Sequence, residues 1–95
     1  MRISDFERDV IVNAITVHDP EAKIWLFGSR ADDSKKGGDI DIGILSKRID
    51  LMKKIKIKIA ICAKIGEQKI DLAVSKTGED VFFRCAVKKG ILLND

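Results

Sequence analysis

The residues whose types and spacing could do chemistry are Asp39, Asp41 and Asp71, with Gly28 and Ser29 ahead of them. In the stretch 39–45, Ile40, Ile42 and Ile44 alternate with Asp39, Asp41 and Gly43, which is the period-two pattern of a strand. Residues i and i+2 on a strand share a face about 6.6 Å apart, so two carboxylates aim at one region of space. Two bare carboxylates so close repel, and one tends to keep its proton unless a divalent cation lies between them. Oxygen-only ligands favour Mg²⁺, or Mn²⁺ in its place, over zinc, and magnesium readily shares its shell with water and substrate phosphates. The stretch 69–75 alternates in the same way and carries Asp71 in its middle. Three carboxylates suit a pair of ions about 3.5 to 4 Å apart, one activating an attacking hydroxyl and the other holding the departing oxygen.

Gly28 lets the backbone pass close to a ligand, and Ser29 sits where a strand turns into a helix. Free N–H groups, a helix dipole and a hydroxyl would there face an anion such as a phosphate. The glycine spacing is neither the P-loop pattern nor the dinucleotide-binding pattern. A calcium loop starting at Asp39 is excluded too, because Gly43 occupies a ligand position and no Glu follows where the loop requires one.

These residues need elements to position them. Ser4-Asp5-Phe6-Glu7 reads as a capping-box start, and Phe6, Val10, Ala14 and Val17 recur as one helical face that ends near Pro20. Residues 22–27 form a short, nearly continuous apolar run, expected to be a strand covered on both faces. A brief helix at Arg30 and Ala31 precedes a loop over 32–38, in which Lys35 and Lys36 read as solvated. Residues 49–65 fit either a strand, through alternating Lys and Ile, or a helix with Leu51, Ile55, Ile59 and Cys62 as its stripe. The length of the run favours a helix crossing between two strands. Thr77 is expected to cap a last helix that stops at Gly90, and residues 91–93 could add an edge strand. The sum is one α/β (α+β) domain spanning residues 1–95.

The ordered set Gly28-Ser29-Arg30-Ala31, then Asp39-Ile40-Asp41, then Asp71, resembles the DNA polymerase β superfamily and, by size, its minimal nucleotidyltransferase branch. That resemblance implies a small mixed sheet flanked by helices, and attack of an acceptor hydroxyl on the α-phosphorus of a nucleoside triphosphate, with ATP the expected donor and pyrophosphate leaving. It implies two Mg²⁺ ions, with Asp39 and Asp41 binding both and Asp71 binding the catalytic one. Gly28 and Ser29 would hold the triphosphate, and Arg30 matches the family's arginine. Where many members continue with Arg-Gly and place Ser before the D-x-D, this chain has Asp32-Asp33 and Gly38. Minimal members often occur with a helical HEPN partner, a toxin that the transferase adenylylates as its antitoxin. The competing reading is a non-catalytic nucleotide-binding antitoxin that occludes its partner, and a third is a basic nucleic-acid adaptor.

Composition narrows these readings. With 18 Lys+Arg against 15 Asp+Glu the net charge is +3, short of a dedicated nucleic-acid binder. The lysines at 53, 54, 56 and 58 read as a charged outer helix face, and Trp25 and the phenylalanines as core, so direct nucleic-acid binding is not expected. His18 reads as an exposed loop residue. Cys62 and Cys85 read as buried free thiols. With no leader and no long apolar run, the expectation is a cytoplasmic protein that meets no membrane, and a small core leaves room for a homo-oligomer.

Overall fold

The computed structural model describes residues 2–32, 34 and 38–94; Lys35, Lys36 and most of the loop expected over 32–38 lie outside them. The described residues form three helices and four strands in the order α1 (Asp5–Thr16), β1 (Lys23–Phe27), a 3₁₀ turn (Gly28–Ala31), β2 (Ile40–Leu45), α2 (Leu51–Ile65), β3 (Ile70–Ser75), α3 (Val81–Lys89) and β4 (Ile91–Leu92). The sheet order is β3-β2-β1-β4. β1 is antiparallel to both β2 and β4, whereas β2 and β3 are parallel because α2 carries the chain back across the sheet. The fold is thus a small mixed sheet with helices, an α+β arrangement. No helix among the described residues is long and apolar enough to cross a membrane.

Period-two alternation sorts the sheet into two faces. Ile24, Leu26, Ile40, Ile42, Ile44, Ile70 and Leu72 turn to one side and are buried with Val10, Ile11 and Ile15 of α1 and Ile57 and Ile61 of α2. Trp25, Phe27, Asp41, Gly43, Asp71 and Ala73 turn to the other. Among the described residues, α3 covers that second face, placing Phe83 edge-on to Trp25 at 5.7 Å and close above Gly43. β1 is therefore fully buried on one side and half-buried on the other. The C-terminal residues do form the edge strand, and Asn94 secures it by accepting from the Ile24 N–H at 2.9 Å and donating to the Ala22 carbonyl at 2.8 Å.

Several sequence expectations change register. The α1 face that packs is Val10, Ile11 and Ile15, while Phe6 and Val17 are exposed. In α2, Leu51, Ile55 and Ile59 face solvent, and Ile57 and Ile61 supply the core. Both stripes have helical spacing, and the sheet faces only one of them. The last helix is capped by Asp80, not Thr77. Ser75 donates its hydroxyl to Asp80 and accepts from the Gly78 N–H, and this pins the carboxylate where it accepts from the Phe83 N–H. His18 is half-buried in the turn after α1. Cys62 is half-buried and Cys85 exposed, both as free thiols.

Beyond the C-terminal end of β2, the carboxylate of Asp19 is buried and accepts from the Ser46 hydroxyl at 2.6 Å and from the Glu21 N–H at 3.0 Å. The Ser46 bond, ahead of the Glu21 N–H and the charges of Arg48 and Lys53, holds the Asp19 pKa below its ordinary 3.8. A lowered carboxylate pKa contributes stability above the unfolded value and loses it as pH falls through the folded value. Ser46→Ala is expected to cost about 2 kcal/mol, since it removes a hydrogen bond to a buried charge. Thermal melts at neutral pH should show the loss, and melts well below pH 3.8 should show a smaller one; a loss independent of pH would count against this role.

Candidate active site

Three chain segments meet at one end of the sheet: the turn after β1, the start of β2 and the start of β3. Parallel pairing sets Asp41 directly beside Asp71, and antiparallel pairing sets Phe27 on the other side of Asp41. The Asp41 and Asp71 side chains share one face of the adjacent strands, close enough that the Asp71 charge bears on Asp41. Burial, then the negative charges of Asp71 and Asp39, raise the Asp41 pKa above its ordinary 3.8, with Lys69 pulling weakly the other way.

Asp39 lies just ahead of β2 and is turned aside. Its carboxylate is 3.6 Å from the Lys69 ammonium, both groups being well exposed. Among the described residues no three acidic, histidine or cysteine side chains are gathered closely enough to hold an ion. Like charges disperse when nothing positive lies between them, and Lys69 offers Asp39 a nearby cation. The pair Asp41–Asp71 nonetheless fits a divalent cation in chemistry: two neighbouring carboxylates offering only oxygen donors, with the Asp39 charge close by.

The turn is built around Asp41. Gly28 has φ +73°, and a Cβ there would collide with the Asp41 Oδ2 atom, so glycine is required by backbone and by space. Gly38, φ +95°, stands against the Ser29 hydroxyl in the same way. The residue that departs from the family's serine before the D-x-D is therefore what lets Ser29 lie beside the entry to β2.

Arg30 points across the turn, donating from Nε to the Gly38 carbonyl and from Nη1 to the Arg2 carbonyl, each at 3.1 Å. Arg2 returns the grip, donating to the carbonyls of Ser29 at 2.7 Å and Asp32 at 3.0 Å. Together they fix the loop carrying Gly28 and Ser29. Arg2 carries no sequence signal for this role, because it precedes the first helix and is far from the motif in sequence. A cavity of about 410 Å³ beside the turn is lined by Gly28, Ala31, Asp32 and Lys89. Lys89 brings a cation there, although in sequence it reads only as a basic last turn of a helix. A second cavity, about 510 Å³, lies past the far end of β2 and β3, and no candidate residue lines it.

Residues 10–95 match the family described as Polymerase beta, Nucleotidyltransferase. The chain belongs to this nucleotidyltransferase family. Two solved structures share its fold. One is a mutant of the toxin–antitoxin complex MntA–HpeT with two Asp-to-Glu replacements, at 19% identity and TM-score 0.73, covering 92% of this chain and 71% of that one. The other is the tri-AMPylated Shewanella oneidensis HEPN toxin in complex with MNT antitoxin, at 20% identity and TM-score 0.71, covering 97% of this chain and 72% of that one. No curated protein matches the sequence.

The raised Asp41 pKa gives this nucleotidyltransferase a testable metal linkage. A cation held by Asp41 would compete with its proton, so Mg²⁺ affinity should rise with pH above 3.8 and level off once Asp41 is ionised. Without metal the sign reverses for folding, because the native state holds the extra proton and this group's contribution to stability falls as pH rises through the same window. Calorimetric Mg²⁺ titration across that range checks the first statement; an affinity independent of pH would contradict it.

Proposed function

We propose that this nucleotidyltransferase moves a nucleoside monophosphate, AMP from ATP, onto a hydroxyl of a protein partner of the HEPN type, with Mg²⁺ as cofactor. The observation that carries the reading is the meeting of the Asp41 and Asp71 carboxyls across parallel strands, hard against Gly28 of the adjoining turn. The neighbouring solved complexes support the partner class, one of them containing an AMPylated HEPN toxin.

Asp39, Asp41 and Asp71 would hold the cofactor, which would supply charge neutralisation on the triphosphate and acidify the acceptor hydroxyl. Asp71, on the exposed edge of the group, accepts the proton of the incoming hydroxyl. The Gly28–Ser29 backbone and the Ser29 hydroxyl hold the triphosphate from the other side, and Lys89 adds charge beside the turn. Arg30 and Arg2 keep that turn from shifting, so the phosphates meet donors already in place.

Incubating the chain with α-labelled ATP, Mg²⁺ and the protein encoded beside it tests the proposal. Label on the partner, dependent on metal, is the expected outcome. A partner bound and silenced without label would favour an antitoxin acting by occlusion, and no nucleotide uptake at all would sink the reading.

A further inference from the structure

The sequence places the phenylalanines in the core, yet Phe82 is 65% exposed, and it is exposed on the carboxylate side of the sheet. Its ring stands edge-on to Phe27, with centroids 6.2 Å apart. The Phe27 ring in turn lies over Gly43, 3.6 Å from where a Cβ would be. Gly43 is two residues along β2 from Asp41, about 6.6 Å on the same face. Ala73 pairs with Gly43 as Asp71 pairs with Asp41. Phe27 and Phe83 roof Gly43, so beyond the carboxylates the sheet meets an aromatic wall whose outer ring, Phe82, is open to solvent.

We propose that Phe82 is the stacking platform for the nucleobase of the bound nucleoside triphosphate. This rests on the triphosphate reading of the Gly28–Asp41–Asp71 site and adds what holds the other end of the nucleotide. Phe27 pairs with Asp41 across β1 and β2, so Phe82 stands one ring-to-ring step from the strand position beside that carboxylate. The base would lie on the solvent side of the Phe82 ring, since Phe27 and Phe83 occupy the space over Gly43. Phe27 braces Phe82 from behind, so one ring edge is spent on the protein and a face stays open. An aromatic face distinguishes bases by stacking area, so ATP and GTP should bind alike and both more tightly than CTP or UTP.

Calorimetric titration with Mg²⁺-ATP and, separately, with Mg²⁺-tripolyphosphate separates the two ends of the ligand. The wild-type chain should bind ATP about tenfold more tightly than tripolyphosphate. Phe82→Ala should erase that difference and leave tripolyphosphate unchanged; as an exposed position it should not disturb the fold. Phe82→Trp should keep ATP affinity and show fluorescence quenching by ATP but not by tripolyphosphate, beyond any change seen from Trp25 in the wild-type chain. Unchanged ATP binding in Phe82→Ala, or an equal loss for both ligands, overturns the platform while leaving the phosphate site standing. Failure of the wild-type chain to bind either ligand overturns the phosphate site and the platform with it.

Discussion

Asp41→Asn is expected to lower nucleotidyl transfer by on the order of 10³-fold or more while leaving the fold intact. Asp41 is the carboxylate on which the site converges: it meets Asp71 across β3, fills the space that Gly28 leaves empty and feels the charge of Asp39. An amide of the same shape keeps the contact with Gly28 and its place beside Asp71, but it surrenders the negative charge that a divalent cation needs. Removing that charge also removes a repulsion, so the metal-free variant should melt no lower than the wild-type chain. The two proteins should then part on adding Mg²⁺, which raises the wild-type melting temperature and not that of the variant. Transfer retained within tenfold would show that Asp39 and Asp71 suffice, and would remove Asp41 from the reaction.

Gly28→Ala should be the most damaging change that leaves every functional group in place. Its backbone sits at φ +73°, where alanine costs roughly 1 to 2 kcal/mol, and the added methyl would overlap the Asp41 carboxylate. Backbone strain and collision act together, so either the turn or Asp41 has to move. A displacement of about 1 Å at a reacting group costs on the order of 10²-fold in rate. Melting should fall by roughly 5 to 10 °C for a domain of this size. Kinetics distinguishes displacement from simple instability: well below the melting point, where the variant is fully folded, transfer should remain about 10²-fold down. Full activity under those conditions would show that the turn tolerates a side chain and that Gly28 is not a close-approach residue.

The strands and their chemistry were legible because strand periodicity is local. Ile40, Ile42 and Ile44 against Asp39, Asp41 and Gly43, and Ile70, Leu72 and Val74 against Asp71 and Ala73, display their two faces to any reader of the chain. The Ser4 capping box and the Gly28 and Gly38 turns are equally local, since a cap or a turn is specified within a few residues. Helix faces were less legible. α2 carries two apolar stripes, and the choice of Ile57 and Ile61 over Leu51, Ile55 and Ile59 is made by the sheet it packs on.

What the sequence determined by itself, then, is the set of acidic and glycine positions and the strands that carry them, because those depend on neighbours a few residues away. Only the tertiary structure decided that Asp41 meets Asp71 rather than Asp39, that Arg2 and Arg30 clamp the turn, and that Phe82 faces the open side of the sheet. Each of those depends on segments distant in the chain. Their approach is set by the parallel return of β3, by the anchoring of the N-terminus on the turn and by the placement of α3, none of which a local pattern encodes.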